Sequence, residues 1–217
     1  MGNIGTSTQH GIQPDGYSLE KTGNIIQLKD YDTSTSGDTV ISGGNAGDIT
    51  YGTSDVVKIE TKTISNATTA SITFSSLGTY KGYILVGGGT STSASGVLDI
   101  RLNADSGANY ARSVIQNSTS TVTGGNATGA TSYSPYLSTS IGASQRYFLK
   151  AEIIIPSTTM IKMIKSTLNV NQIATNEASG FWANTSDDIT SISVYYNAGN
   201  SSLYFGNGDT FILYGVR

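Results

Sequence analysis

The chain has no cysteine and one histidine, His10, in its 217 residues. Without cysteine there are no disulfides and no thiolate metal sites, so stability has to come from packing, hydrogen bonding or assembly. Charge is scarce as well: 12% of residues are charged, against about 25% in an average soluble protein. The formal net charge of −3 is spread thinly, and no basic stripe exists to neutralise a row of phosphates, so no nucleic-acid partner is expected. The longest apolar runs are short, such as Ile153-Ile154-Ile155, far below the roughly 18 residues that read as a membrane helix. No membrane partner is therefore expected. The first turn-rich stretch shows neither a positive n-region nor an apolar h-region, so no secretory signal is expected either.

What the chain does have is hydroxyl groups, glycine and tyrosine. Ser and Thr supply 59 residues, Gly 26 and Tyr 13, against one Trp and five Phe. Lys and Glu, which favour helices, are few, whereas Thr, Val, Ile and Tyr suit a pleated, half-buried surface. Residues 1–54 are broken by glycine throughout, with short strands expected only around 24–28 and 39–41. This segment reads as an N-terminal arm or lead-in. Period-2 alternation begins at residue 55. Ala70, Ile72 and Phe74 alternate with polar neighbours, as do Leu98, Ile100 and Leu102. Tyr147, Leu149, Ala151, Ile153 and Ile155 form one face opposite Lys150 and Glu152. Ile192, Val194 and Tyr196 repeat the pattern, and Phe211 and Leu213 close the chain. The expected fold is all-β: an antiparallel, jelly-roll-like β-sandwich over 55–217, with some eight to ten strands and an irregular arm over 1–54.

Turns are expected where residues tolerate positive φ: Gly87-Gly88-Gly89, Asp105-Ser106-Gly107, Asn197 to Asn200, and Gly206-Asn207-Gly208-Asp209. The last reads as a tight hairpin joining 203–205 to 210–214. Met160, Ile161, Met163, Ile164 and Leu168 have spacings that a helix would also use, but the β-branched residues around them favour a strand. Residues 117–144, with Gly124-Gly125 and Pro135, read as a long low-complexity loop.

Catalysis needs convergent titratable groups, and few are present. His10 sits in the glycine-rich arm, away from any nucleophile that a Ser–His–acid arrangement would require. No zincin, nucleophile-elbow or phosphate-loop motif occurs. The chain has four Glu: Glu20, Glu60, Glu152 and Glu177. Glu60 and Glu152 sit beside lysines, which reads as surface charge pairing rather than a glycosidase pair. Asp30 with Asp32, or Asp187 with Asp188, lacks the spaced pattern of a calcium loop, so no metal and no cofactor are expected. Three tyrosines are candidates for surface contact, by stacking on a sugar or anchoring a protein: Tyr133 and Tyr136 in the long loop, and Tyr195 beside Tyr196. The alternative is that they fill the edge of the core.

From Asp55 onward the chain resembles a β-sandwich domain of tailed-phage structural proteins. The stretches 71–89, 96–115 and 181–217 carry the likeness. A hairpin of the type L-x-x-x-N-x-D-x-x-x-N-Y is matched loosely, by Leu98, Asn103, Asp105, Asn109 and Tyr110. A final G-x-x-F-x-L-Y-G strand is matched by Gly208 to Gly215. The resemblance implies a non-enzymatic virion component of the capsid-decoration, head-fibre or tail-fibre kind, assembled in the host cytoplasm and often oligomeric, with a trimer expected. Its partners would be the major capsid protein or other virion proteins. As alternatives, the chain is the receptor-binding tip of a tail fibre recognising a host glycan or protein, or a carbohydrate-binding module.

Overall fold

A computed structural model describes residues 38–43, 48–53, 55–92, 96–118, 120–136, 141–157, 159–171, 174–196 and 204–217, with backbone alone for 38–53. The strand expected at 24–28, His10, Glu20, Asp30, Asp32 and the turn at 197–200 lie outside the described residues. The chain divides into two units, Met1–Asp55 and Val56–Arg217. In the first, β1 (Asp38–Gly43) and β2 (Asp48–Thr53) pair antiparallel, with Val40 opposite Tyr51.

The second unit is an all-β antiparallel sandwich, as the alternation predicts. Its strands are β3 (Val56–Thr63), β4 (Ser71–Ser75), β5 (Gly82–Thr90), β6 (Leu98–Leu102), β7 (Tyr110–Ser118), β8 (Val122–Ala130), β9 (Arg146–Ile154), β10 (Lys162–Val170), β11 (Ala174–Trp182), β12 (Ser191–Tyr196) and β13 (Thr210–Val216). Eight form one sheet in the order β3-β13-β5-β9-β10-β11-β7-β8, and three form the other in the order β4-β12-β6. The apolar phase of each strand points between the sheets. Tyr83, Leu85, Leu149, Ile153, Ile164, Leu168, Val114 and Leu213 come from the large sheet, and Ile72, Phe74, Leu98, Ile100, Leu102, Ile192 and Val194 from the small one. The ambiguous segment at 160–168 resolves as strand β10, whose buried positions alternate strictly.

Three expectations are corrected. Gly87-Gly88-Gly89 is not a turn but part of β5: all three pair with β9, and Gly87 and Gly88 also with β13. The glycines are there for space: a Cβ on Gly87 would overlap the ring of Phe211, and one on Gly89 the carboxylate of Asp209. The turn at 206–209 does not close a hairpin, because β13 runs between β3 and β5 and its chain arrives from the small sheet. Residues 117–144 are not a plain loop. They contain β8, which pairs with β7 from Asn117↔Val122 to Tyr110↔Ala130. As an edge strand exposed on both faces and rich in glycine, β8 has no apolar alternation to read.

If Gly87 is a packing glycine, Gly87→Ala should lower unfolding stability by about 1–3 kcal/mol, the usual cost of overpacking. Gly78→Ala is the control, because its added Cβ would sit 3.5 Å from Tyr80 Cε2, an ordinary contact; it should change stability by less than about 0.5 kcal/mol. Urea titrations of both variants measure the difference.

Candidate functional site

The motif at 98–110 forms the passage from β6 in the small sheet to β7 in the large one. Asn103 and Ala104 turn the chain with φ of 53° and 54°, a conformation Asn tolerates better than most residues. Asn103 Oδ1 accepts from the backbone N–H of Thr190 (2.8 Å) and Ser191 (3.1 Å), while its Nδ2 donates to the Asp188 carbonyl (2.7 Å). Two residues on, Asp105 accepts from Gly107 N (2.7 Å), Asn109 Nδ2 (2.9 Å) and Trp182 Nε1 (2.6 Å). Tyr110 then buries its ring, and its hydroxyl accepts from Leu102 N at 2.9 Å. Every polar member of the motif is thus committed to holding chain segments together.

The buried Lys162 lies over the Trp182 ring and donates from Nζ to the Asn184 carbonyl at 2.9 Å. Asn184 in turn binds Asp187 through Nδ2 at 2.6 Å and accepts from the N–H groups of Ser186 and Asp187. Asp187 is therefore a turn residue within an asparagine-capped loop. Among the described residues, no three of His, Asp or Glu come together in a way that would hold a metal ion. Glu60 pairs with Lys62 at 3.3 Å, and Glu152 with Lys150 at 2.7 Å. Lys150, bonded to Glu152, holds that carboxyl below its usual range against a smaller opposing effect of burial, with Lys165 helping.

Of the three tyrosines singled out for surface contact, two are in the core. Tyr133 pairs its backbone with Ile100 along the open edge of β6, and its hydroxyl meets Ser166 Oγ at 2.8 Å. Tyr136 is also buried. The cause is the same for both: the segment after β8 covers the edge of the small sheet, so its aromatic side chains turn inward. Tyr195 is half-buried on the outer face of the small sheet, with the Arg101 guanidinium 5.0 Å from its ring centre.

The feature that the sequence did not disclose is a contrast between the two outer faces. The small sheet presents Ser71, Thr73, Ser75, Ser191, Arg101 and Tyr195, which cover the buried Ser193 and Asp99. The large sheet presents a row of register partners that runs Val56, Val216, Gly82, Ile154, Met163, Phe181 across six strands and ends at Ala111 on β7. Met163 is 49% exposed, Ile154 44% and Phe181 37%. Beside the row lies an open groove of about 490 Å³, lined in part by Ala111, Ile154, Met163, Phe181 and Thr128. Seven of the nine exposed large hydrophobics among the described residues lie on this face. The signal for it was present as apolar residues in the polar phase of their strands, but each is unremarkable until the register aligns them. Compared with known families, with characterised proteins and with solved structures, the chain matches none.

Two pH effects follow. Burial pushes the Asp105 carboxyl up, but the hydrogen bonds from Trp182, Asn109 and Gly107, with the Arg101 charge, outweigh it and hold the group below 3.8. A lowered folded pKa contributes stability above the unfolded value, which is lost as pH falls through the folded one. Asp105→Asn should therefore cost about 1–3 kcal/mol at pH 7, and the gap to the parent should close toward pH 2. Unfolding followed by the fluorescence of Trp182, the chain's one tryptophan, measures this; a gap independent of pH would count against it.

At the other end of the scale, burial raises the Tyr83 and Tyr133 hydroxyls from 10 to about 12. A raised folded pKa means stability that is complete below pH 10 and lost as pH rises toward 12. Each group then removes up to about 1.4 kcal/mol per pH unit over that interval. The part of the tyrosinate absorbance that Tyr83→Phe or Tyr133→Phe removes should appear together with loss of the β-sheet dichroism, not before it.

Proposed function

We propose that this chain is a non-enzymatic structural protein of a virus-particle surface, of the capsid-decoration or head-fibre kind, which works by laying the outer face of its large sheet against another virion protein. The observation that carries the reading is the unequal dressing of the two faces. A sandwich that stands alone in water has polar residues on both outer surfaces. Here the hydroxyl-rich small sheet suits solvent, while the Ile154–Met163–Phe181 row offers a contiguous apolar strip of the kind that marks an interaction site. Lys150, Glu152, Lys165 and Glu177 lie beside it in mixed sign, which favours a protein partner over a uniformly charged surface. The polar groups of the 98–110 motif are spent on holding the loops, which leaves the motif a structural and not a catalytic part in this reading.

A receptor-binding fibre tip would use the segments around 133–136 and 87–96; Tyr133 and Tyr136 are core residues and 87–89 lie inside β5, so these segments offer less to a receptor than the sheet face does. Tyr195, half-buried on the small sheet, is the remaining aromatic candidate for a carbohydrate.

Antibody to residues 56–217, applied with gold to intact particles from the producing host, should label the heads. Label confined to tail tips would move the protein to the adsorption apparatus, and unlabelled particles would overturn the virion assignment. Paired substitution Met163→Glu and Phe181→Glu should lower affinity for particles lacking the protein by at least about tenfold, equivalent to 1.4 kcal/mol. The melting temperature should change little, because both side chains are exposed.

A further inference from the structure

The large sheet has two ends, and they are finished differently. At one end β3 carries Lys58, Glu60 and Lys62, and its register with β13 slips so that Leu213 pairs with Glu60 and Tyr214 with Lys58, leaving Ile59 in a bulge. Charges and bulges are the usual devices that stop a sheet edge from pairing with another strand. In the small sheet, β4 is only five residues long and β6 is covered by the Tyr133 segment. The remaining edge, β8, is bulged only towards its end, where its register with β7 shifts between Tyr110 and Arg112; from Asn117↔Val122 to Arg112↔Ala127 it pairs regularly. Its nine residues Val122–Ala130 contain no charge and no proline. It ends the sheet order, so among the described residues no strand pairs with its second side.

We infer that β8 is a dimerisation edge, pairing antiparallel with β8 of a second copy so that two eight-stranded sheets join into one. The strand is suited to a copy of itself. From Val122 to Thr128 it is free of the positive φ that Gly129 introduces at 64°, and the centre of that run is Gly125. A twofold axis there sets Gly125 against Gly125, with Val122 of each copy opposite Thr128 of the other. No bulky or charged side chain then meets its own image. The two most exposed large hydrophobics among the described residues, Val122 at 68% and Ile115 at 57%, lie on β8 and on the adjacent β7. Pairing would shelter Val122 directly, since side chains opposite or two residues off register across a ladder touch. A heterologous contact of β8 with β3, which a cyclic trimer would use, has to bring the Lys58, Glu60 and Lys62 strand and its bulge into the ladder. The isologous contact avoids this, so the assembly is twofold and not the trimer that the phage resemblance implies.

Full-length protein at micromolar concentration should sediment at twice the chain mass of 22.6 kDa. Its dimer dissociation constant should be nearly independent of salt, because the edge is uncharged. Since the chain has no cysteine, Gly125→Cys introduces a single thiol close to the axis; mild oxidation should link the dimer covalently, whereas Thr61→Cys on β3 should stay unlinked. Asn126→Lys, at an exposed position, should raise the dissociation constant at least tenfold with an unchanged circular dichroism spectrum, and it decides the matter if Gly125→Cys does not fold. A monomer, a trimer, or a dimer indifferent to Asn126→Lys overturns the inference. None of these outcomes depends on where in a particle the protein resides.

Discussion

The chain passes between the two sheets six times, and every passage takes backbone N–H groups out of a ladder and leaves them needing acceptors. That requirement organises the rest of the structure. Between β12 and β13 the acceptor is Asp209, only 1% exposed, whose carboxylate takes the N–H of Thr90 (2.7 Å) and Gly206 (2.8 Å) and the Tyr147 hydroxyl (2.5 Å). Between β6 and β7 it is Asp105, and between β11 and β12 it is Asn184 together with Asn103. Between β3 and β4, Asn66 Oδ1 accepts from Thr68 N at 3.0 Å. The Ser91 hydroxyl reaches the Gly142 carbonyl at the passage after β5. A protein with few charges has placed several of its carboxylates and amides at these passages; at Asp209, where the Gly206 donor is buried, losing the acceptor would cost about 1–3 kcal/mol.

The same constraint explains the tyrosines. Tyr83, Tyr110, Tyr133, Tyr147 and Tyr196 are all buried, and each hydroxyl is tied to a passage or a covering segment: Tyr83 donates to Gly78 O at 2.6 Å, and Tyr196 to Ile141 O at 3.1 Å. Phenylalanine would fill the same volume but give up these bonds; the Ile141 carbonyl would keep only the Gly96 N–H at 3.1 Å. Tyrosine serves here as a core residue with a polar tip that reaches the rim of the sandwich. Tyr147, Tyr196, Phe205 and Phe211 stack in succession at ring-centre distances of 5.3–6.5 Å, so one end of the core is an aromatic cluster closed by Asp209.

How much of this was legible in the sequence depends on which physical signal each element leaves. Strands buried on one face, such as Arg146–Ile154 with Tyr147, Leu149, Ala151 and Ile153, declare themselves by alternation. β8 does not, since an edge strand exposed on both sides needs nothing from its side chains but room for a ladder. The glycines at 87–89 misled in the opposite direction, because a local reading takes three glycines as a turn, whereas here they make way for Phe211 and Asp209, residues more than a hundred positions away. The burial of Tyr133 was equally non-local: it depends on the open edge of β6 being available for the segment to cover. The apolar row on the outer face needed the register of six strand pairs, and no single strand contains it. Asp105 and Asn103 were legible as a motif, but whether their oxygens face a ligand or the chain's own backbone was settled by the positions of Thr190, Ser191 and Trp182.

The apolar face and the uncharged edge are geometrically independent, and this has a consequence for how they would act together. Edge pairing through β8 extends a sheet sideways and leaves its outer face untouched. Two copies joined in this way present their Ile154–Met163–Phe181 rows on the same side of one continuous sheet, separated by little more than the strands between β11 and the axis. With β7 and β8 on each side of the axis, the Phe181 ends of the two rows are five strand spacings apart, roughly 24 Å at about 4.8 Å per strand. A partner surface that repeats on that scale would be held at two points at once, and the second contact would form at the high effective concentration set by a rigid sheet rather than by a flexible linker. Weak contacts multiplied by a rigid pairing are sufficient on a lattice and insufficient against a lone soluble protein, so the same chemistry that makes each face a poor binder makes the pair selective for an ordered array.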